Sequence, residues 1–249
     1  MPLEKGSRPA LDLLRAAGRD LVVLTGAGLS TESGVPDYRS PGSPWKRNQP
    51  IDYRAFMADP TMRTEAWRRK FAMDDLYHGL PPARGHYALA DMATAGRLLA
   101  VITQNIDGLH QAAGLPATLL VELHGNGTYA RCLSCGTRME LGEARRRFVT
   151  TGAAPLCDCG GIVKSATVSF GEALDPARVS AAIRAAQACR AFLAIGSSLV
   201  VRPAATFPVL AKHAGAHLVV VNREPTPLDE IADHVVRAEV GEFLSELAR

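Results

Sequence analysis

Four of the five cysteines fall within 28 residues, as Cys132-x-x-Cys135 and Cys157-x-Cys159 with 21 residues between the pairs. Two close thiol pairs at that separation can wrap four sulfurs around one ion. An all-sulfur tetrahedron marks structural zinc, closed to water and therefore not catalytic. The second pair has one intervening residue, Asp158, where two are common, which tightens its turn without forbidding the tetrahedron. Cys189 ends a helix-like stretch and is expected in the core. A second set of polar residues recurs after short apolar runs. Thr25-Gly26-Ala27-Gly28-Leu29-Ser30, Thr103-Gln104-Asn105-Ile106-Asp107, His124-Gly125-Asn126, Gly196-Ser197-Ser198 and Asn222 all occupy such positions. Gly26-Ala27-Gly28 suits a phosphate, because glycines let the backbone approach and a following helix would offer free N–H groups and its positive end. The dehydrogenase fingerprint is not met: Thr31 stands where a third glycine belongs, and no acidic residue closes a second strand about 20 residues on. The chain runs instead into Ser33-Gly34-Val35-Pro36-Asp37-Tyr38-Arg39-Ser40, a polar loop able to fold over one end of a dinucleotide.

The apolar runs that precede these turns are Leu21–Leu24, Leu98–Ile102, Leu119–Leu123, Phe192–Ile195 and His217–Val221, each short enough for a buried strand. Helical patterns lie between several of them, at Pro82–Ala95, Pro176–Ala188 and Pro203–His213. This alternation predicts an α/β fold, a Rossmann-like parallel sheet with helices on both faces. Ligands of such sheets bind outside the carboxyl ends of the strands, so the polar turns on that one edge describe a single extended site. Two segments break the alternation. Residues 41–82 hold a helix-like Thr61–Tyr77 whose Trp67 and Phe71 share a face; residues 129–164 hold the cysteine pairs and a basic patch around Arg145–Arg147. Both are expected to form a smaller inserted domain, a helical module and a zinc-binding module packed together. The sheet domain then takes residues 1–40, 83–128 and 165–249.

Apolar residues make up 47% of the 249-residue chain and charged ones 21%, which allows a full globular core. A net charge of +3 is too small for a dedicated nucleic-acid grip, and no apolar run approaches a membrane span. Met1-Pro2-Leu3-Glu4-Lys5 lacks the order of a signal peptide. With clustered cysteines suited to metal rather than disulfides, a cytoplasmic location is expected.

The turn Gly26–Ser30, the loop Gly34–Ser40, the run Thr103–Asp107, the pair His124-Gly125, the cysteine pairs, Phe170-Gly171-Glu172 and Gly196–Ser198 appear in one order. In that order the chain resembles the sirtuin family of NAD-dependent protein deacylases from about residue 20 to 225. The resemblance implies that NAD and zinc are bound and that an acyl-lysine protein or peptide is the substrate. Its adenosine would lie near Gly196, Ser197, Ser198 and Asn222, and its pyrophosphate on Gly26, Ala27 and Gly28, with Ser30 nearby. Asp37, Tyr38 and Arg39 would cover the nicotinamide end, with Gln104, Asn105, Ile106 and Asp107 lining the pocket. Asn105 would orient the ribose hydroxyls, and Asp107 with the Ile106 backbone would hold the carboxamide. His124 would act as general base, a task for which an ordinary histidine pKa of about 6.5 is suited. His110 is read as structural. The products would be free lysine, nicotinamide and O-acyl-ADP-ribose.

In such proteins the peptide pairs as a strand between the domains, which here points to Val168, Phe170, Gly171, Leu199 and Val200. Lys164-Ser165-Ala166-Thr167-Val168-Ser169 departs from the usual arginine–proline start, and Tyr38 stands where phenylalanine is usual. No Tyr-x-x-Arg pair, the grip for succinyl groups, occurs between Trp45 and His86. An acyl tunnel walled by Phe71, Met73 and Phe170 is therefore expected, favouring neutral acyl chains. Transfer of ADP-ribose to a protein side chain is the competing activity, and a zinc ribbon on a nucleotide sensor without turnover is the competing binding module.

Overall fold

The computed structural model describes residues 7–38 and 40–249; Arg39 and the first five residues discussed above lie outside them. The strands are Leu21–Thr25 (β1), Ala100–Thr103 (β2), Leu120–Glu122 (β3), Gly125–Cys132 (β4), Arg138–Glu140 (β5), Val163–Thr167 (β6), Ala191–Ile195 (β7), His217–Val221 (β8) and His234–Val236 (β9). The helices are Ser7–Ala17 (α1), Tyr53–Ala58 (α2), Pro60–Tyr77 (α3), Arg84–Thr94 (α4), Leu109–Ala112 (α5), Leu141–Thr151 (α6), Pro176–Ala188 (α7), Thr206–His213 (α8) and Val240–Ala248 (α9).

Six strands form one sheet in the order β3-β2-β1-β7-β8-β9, every pair parallel. All five β1 residues are buried, because both sheet faces are covered. Leu21 and Val23 join the core beneath α1, α4 and α9, while Val22 and Leu24 join the opposite core beneath α7 and α8. That alternation is the two-residue period of a strand. Strand order reverses between β1 and β7, which opens a crevice at their carboxyl ends.

The five expected strands and the Pro176–Ala188 helix are present, with ends shifted by a few residues elsewhere. One expectation fails. No α-helix follows the Gly26–Gly28 turn; the chain makes two short 3-10 turns, Ala27–Leu29 and Thr31–Ser33. Gly34 then takes φ +92°, and Pro36 follows two residues later, so a helix cannot propagate.

β4, β5 and β6 form an antiparallel sheet with β4 central. Trp67 and Phe71 of α3 pack with Ala130, Leu141, Ala144 and Val163, so the two inserted segments share a core as expected. Trp67 Nε1–H donates to Val163 O at 3.1 Å, and Arg145 of α6 grips Asp75 of α3 at 2.6 and 3.1 Å. α3 starts cleanly, with the Asp59 carboxylate accepting from Thr61 N and Pro60 in its first turn. β4 and β6 cross the expected limits at 128/129 and 164/165, so each of those strands runs through both expected domains.

Candidate active site

The crevice begins where two turns touch. A Cβ on Gly28 would stand 2.8 Å from Gly196 Cα, and one on Gly26 would stand 2.7 Å from Gly196 O. Gly28 N–H donates to Gly196 O at 2.8 Å. These glycines are therefore required by the joint between the β1 and β7 turns. Gly26, Leu29 and Ser30 N–H groups are also bonded within the backbone. Among the described residues, only Ala27 N–H of that turn is left for a ligand, which corrects the expectation of an open row of donors.

The turn after β2 is tied to both neighbours. Gln104 Nε2 donates to Ser197 Oγ at 2.8 Å, and Asn105 Nδ2 donates to Gly26 O at 3.0 Å and Ser30 Oγ at 3.1 Å. Ser30 O–H donates to Asp107 Oδ2 at 2.7 Å, while Asp107 Oδ1 accepts from Leu109 N. Behind this layer, Asn105 N–H and Thr25 O–H both donate to Thr103 Oγ1, and His110 Nε2 meets Thr25 Oγ1 at 3.0 Å. Thr25 has given its proton away, so His110 is the donor there. His110 is 2% exposed and does not line the cavity, in keeping with its structural reading.

His124 ends the run after β3. Its Nδ1 lies 3.1 Å from Gln104 O, which makes Nδ1 the protonated nitrogen and leaves Nε2 with a lone pair. Nε2 has no protein partner among the described residues. Burial lowers the His124 pKa below its ordinary value, against the opposing bond to Gln104 O. The imidazole is neutral near pH 7 and able to accept a proton. Gly125 takes φ +75°, and a Cβ there would fall 2.1 Å from Ala166 O of β6. This close crossing brings the end of β6 beside the histidine, with Val168 N–H donating to His124 O at 2.8 Å.

One cavity of about 880 Å³ joins these groups. Its walls include Gly26, Ala27, Gly28, Ser30, Asp37, Tyr38, Gln104, Asn105, Ile106, Asp107, His124, Gly196, Ser197, Ser198 and Asn222, together with Val168, Phe170 and Gly171. That volume lies toward the upper end of the roughly 300–1,000 Å³ range of ligand sites. Leu199 and Val200 are not in the wall. Leu199 takes φ 53° and sits in the sheet core, and Val201 lines the cavity instead. The Asp37 carboxylate accepts from Ser40 N and Oγ, which closes its own loop, and Tyr38 stacks on Trp45 at 4.5 Å. Sequence reading missed Trp45, Phe56 and Tyr77 as wall residues.

It also misplaced α3. Phe71 is not in the cavity; it packs on Trp67 and Phe148 in the small-domain core. Met73 and Phe170 do line the wall, and so do Arg69 and Lys70. Trp67 and Phe71 share a buried face as expected, but that face turns toward β4 and β6, which rotates the lysine inward.

The four clustered sulfurs lie within 4.8 Å of one another, with Cys132–Cys159 at 3.6 Å and Cys135–Cys157 at 3.7 Å. A zinc tetrahedron with bonds of about 2.3 Å has edges of about 3.8 Å, so the cysteines fit zinc. The short Cys157-x-Cys159 turn is followed by Gly160 at φ +80° and by Gly161, where a Cβ would meet Cys132 Sγ at 2.6 Å. Asp158 points outward to Arg147 at 2.8 Å.

Comparison with known proteins agrees with this geometry. The sequence model of the Sir2 family matches residues 26–203. A Rhodopseudomonas palustris NAD-dependent protein deacetylase is 54% identical over 243 residues, covering 97% of this chain and 96% of that one. A solved Sir2–p53 peptide–NAD+ complex matches with TM-score 0.84 and 35% identity, over 96% of both chains. A Sir2 variant with deacetylated p53 peptide and 3'-O-acetyl ADP ribose matches with TM-score 0.84 and 36% identity, over 95% of both.

Proposed function

This chain belongs to the Sir2 family, and from that premise we propose how the residues of its cavity carry out NAD-dependent protein-lysine deacetylation. The enzyme consumes NAD, releases nicotinamide and leaves O-acyl-ADP-ribose and free lysine. The Rhodopseudomonas palustris relative is a deacetylase and the two Sir2 structures hold p53 peptide with NAD+ or 3'-O-acetyl ADP ribose; none supports ADP-ribosyl transfer to protein as the alternative.

One observation carries the assignment of roles: a neutral His124 with its Nε2 lone pair free stands in the same cavity as the Asn105–Ser30–Asp107 network and the end of β6. Adenosine is assigned to Gly196, Ser197, Ser198 and Asn222, and the pyrophosphate to the Gly26–Gly28 turn through Ala27 N–H. Asp37 and Tyr38 cover the nicotinamide end; Arg39, given the same part by the resemblance, lies outside the described residues. Asp107, oriented by Ser30 and Leu109 N–H, holds the carboxamide with the Ile106 backbone. Asn105 orients the ribose. The substrate acyl oxygen attacks the ribose carbon as nicotinamide departs, and His124 Nε2 removes the proton from a ribose hydroxyl. The peptide backbone lies along Val168–Gly171 and the 199–201 segment, with Phe170 packed on it. Cys132, Cys135, Cys157 and Cys159 hold a structural zinc that fixes the small domain, residues 41–82 and 129–164, against the NAD-binding domain, residues 1–40, 83–128 and 165–249.

A peptide segment is the whole partner in this reading, with no nucleic acid or membrane engaged and the cytoplasm as the place of action. Among the described residues no helix is long and apolar enough to cross a membrane. The test is mass analysis of an acetyl-lysine peptide incubated with NAD. Loss of the acetyl group with stoichiometric nicotinamide and O-acetyl-ADP-ribose is expected; ADP-ribosylated protein without deacetylated peptide would overturn the reading.

A further inference from the structure

The face of α3 toward the cavity carries Ala66, Trp67, Arg69, Lys70, Met73 and Tyr77. Its two ends are fixed to different parts of the site. Trp67 is hydrogen-bonded to Val163 of β6, the strand that leads to the peptide edge, whereas Tyr77 shares the cavity wall with Tyr38 and Asp107. This strip lines the same cavity as His124 and the segment after β6. Trp67 and Met73 are each 1% exposed, and apart from its charged side chains the strip's one polar group unpartnered among the described residues is the buried Tyr77 hydroxyl.

Lys70 lies between those ends, with its Nζ 5.9 Å from the Tyr77 ring centroid. Its side chain is 13% exposed. Its ammonium donates to Asp74 Oδ1 at 3.2 Å and has no other hydrogen-bond partner among the described residues. An ammonium has three donors, and leaving donors unmet in a partly dry wall is unfavourable. Asp74 also lies 3.7 Å from Arg145, which grips Asp75. Two cations and two carboxylates therefore balance, and the cluster offers hydrogen-bond donors without a net positive charge. Arg69 is already committed to Glu65 at 2.6 Å and Gln49 O at 2.8 Å, and the solvent-exposed Arg68 shares that carboxylate.

A distal carboxylate on the acyl chain would enter beside Asp74 with no uncommitted cation to balance it, and burying such a charge is costly. An uncharged oxygen could accept from Lys70 without that cost. Building on the deacylase reading, we propose that Lys70 is a specificity-determining residue, donating a hydrogen bond to an uncharged oxygen on the substrate's acyl chain. Short hydroxyacyl-lysines are then favoured over aliphatic acyl groups of equal length and over dicarboxylic ones.

The test measures kcat/KM for one peptide bearing acetyl, butyryl, 3-hydroxybutyryl (each enantiomer) or succinyl lysine. It compares the full-length zinc-loaded enzyme with Lys70→Met and with Lys70→Met/Asp74→Asn, the latter sparing the fold an unpaired carboxylate. In the unmodified enzyme one 3-hydroxybutyryl enantiomer is expected to exceed butyryl by about 3–10-fold, the effect of one hydrogen bond. Succinyl is expected to trail acetyl by at least about tenfold, and both variants should bring the hydroxybutyryl-to-butyryl ratio to one or below. A ratio at or below one in the unmodified enzyme would overturn the proposal, as would a ratio unchanged in either variant. Succinyl turning over faster than acetyl would overturn it too. If acetyl peptide is not turned over at all, the deacylase reading fails instead. Peptide dissociation constants in the presence of NAD then decide the Lys70 proposal by the same order of preference.

Discussion

His86 and His110 pack edge to face at 5.0 Å behind the Asn105 layer, and both are buried. His110 donates through Nε2 to Thr25, and its Nδ1 has no partner. Charging this ring would place a second N–H where nothing accepts it. Burial, with a further push from His86, lowers the His110 pKa to about 3. Burial also lowers His86 to about 4, against an opposing pull from Asp107. Since an unfolded histidine titrates near 6.5, the unfolded chain takes up more protons in mild acid, and stability must fall as pH drops below about 6.5. Between pH 7.5 and 5.5 each histidine accounts for a loss of about 1.4 kcal/mol, or roughly 2–3 kcal/mol together. That is a large share of a typical folding free energy of about 5–15 kcal/mol. Urea midpoints measured across this window, with a zinc-sensitive dye to exclude metal release, should fall steadily. In His110→Gln, whose amide nitrogen can keep the bond to Thr25, the slope should fall by about a third to a half, since half-buried His124 adds to it as well. A flat midpoint, or the same slope in the variant, would show that these rings are not buried as neutral bases.

Three further outcomes follow from the site. His124→Ala should fold and bind NAD yet lose deacetylation by about 10²–10⁴-fold. In the parent enzyme the acid limb of kcat/KM should have its midpoint below 6.5, because burial lowers that pKa; full activity in the variant would remove His124 from its role. Metal analysis should find one zinc per chain, and Cys157→Ala/Cys159→Ala should lose it and unfold the small domain; zinc retained by that variant would refute the assignment. Gly125→Ala must displace β6, since its Cβ would meet Ala166 O at 2.1 Å. It should therefore raise peptide KM more than NAD KM, and unchanged steady-state constants for both would contradict the close crossing.

The parallel sheet was legible because its strands are apolar on both faces and end in polar turns, which left little choice of fold class. The zinc site was legible from cysteine spacing alone. α1 and α9 were not anticipated, although Ala10, Leu11, Leu14 and Ala17, and Val240, Phe243, Leu244 and Leu247, carry helical spacing. That signal was present and passed over because neither segment bears a chemical motif. The rotation of α3 is a different kind of miss. Trp67 and Phe71 do define one buried face, but sequence alone does not say which neighbour covers it. The partner turned out to be β4 and β6, and this swung Lys70 into the cavity and Phe71 out.

The glycines of the first turn line the cavity, but their smallness serves another purpose than the one expected. Gly26 and Gly28 look like a phosphate cradle, and their turn does line the cavity. Their smallness, however, is spent against Gly196, and Gly28 N–H is bonded to Gly196 O. The two turns meet where strand order reverses, so this joint is what creates the crevice. Gln104 reinforces it from a third strand by donating to Ser197, and its carbonyl oxygen fixes the His124 tautomer. Gln104 thus touches both the joint between β1 and β7 and His124. The polar turns that looked like parallel contributions to one site are hydrogen-bonded to one another, with Gln104 bonded to Ser197 on one side and to His124 on the other.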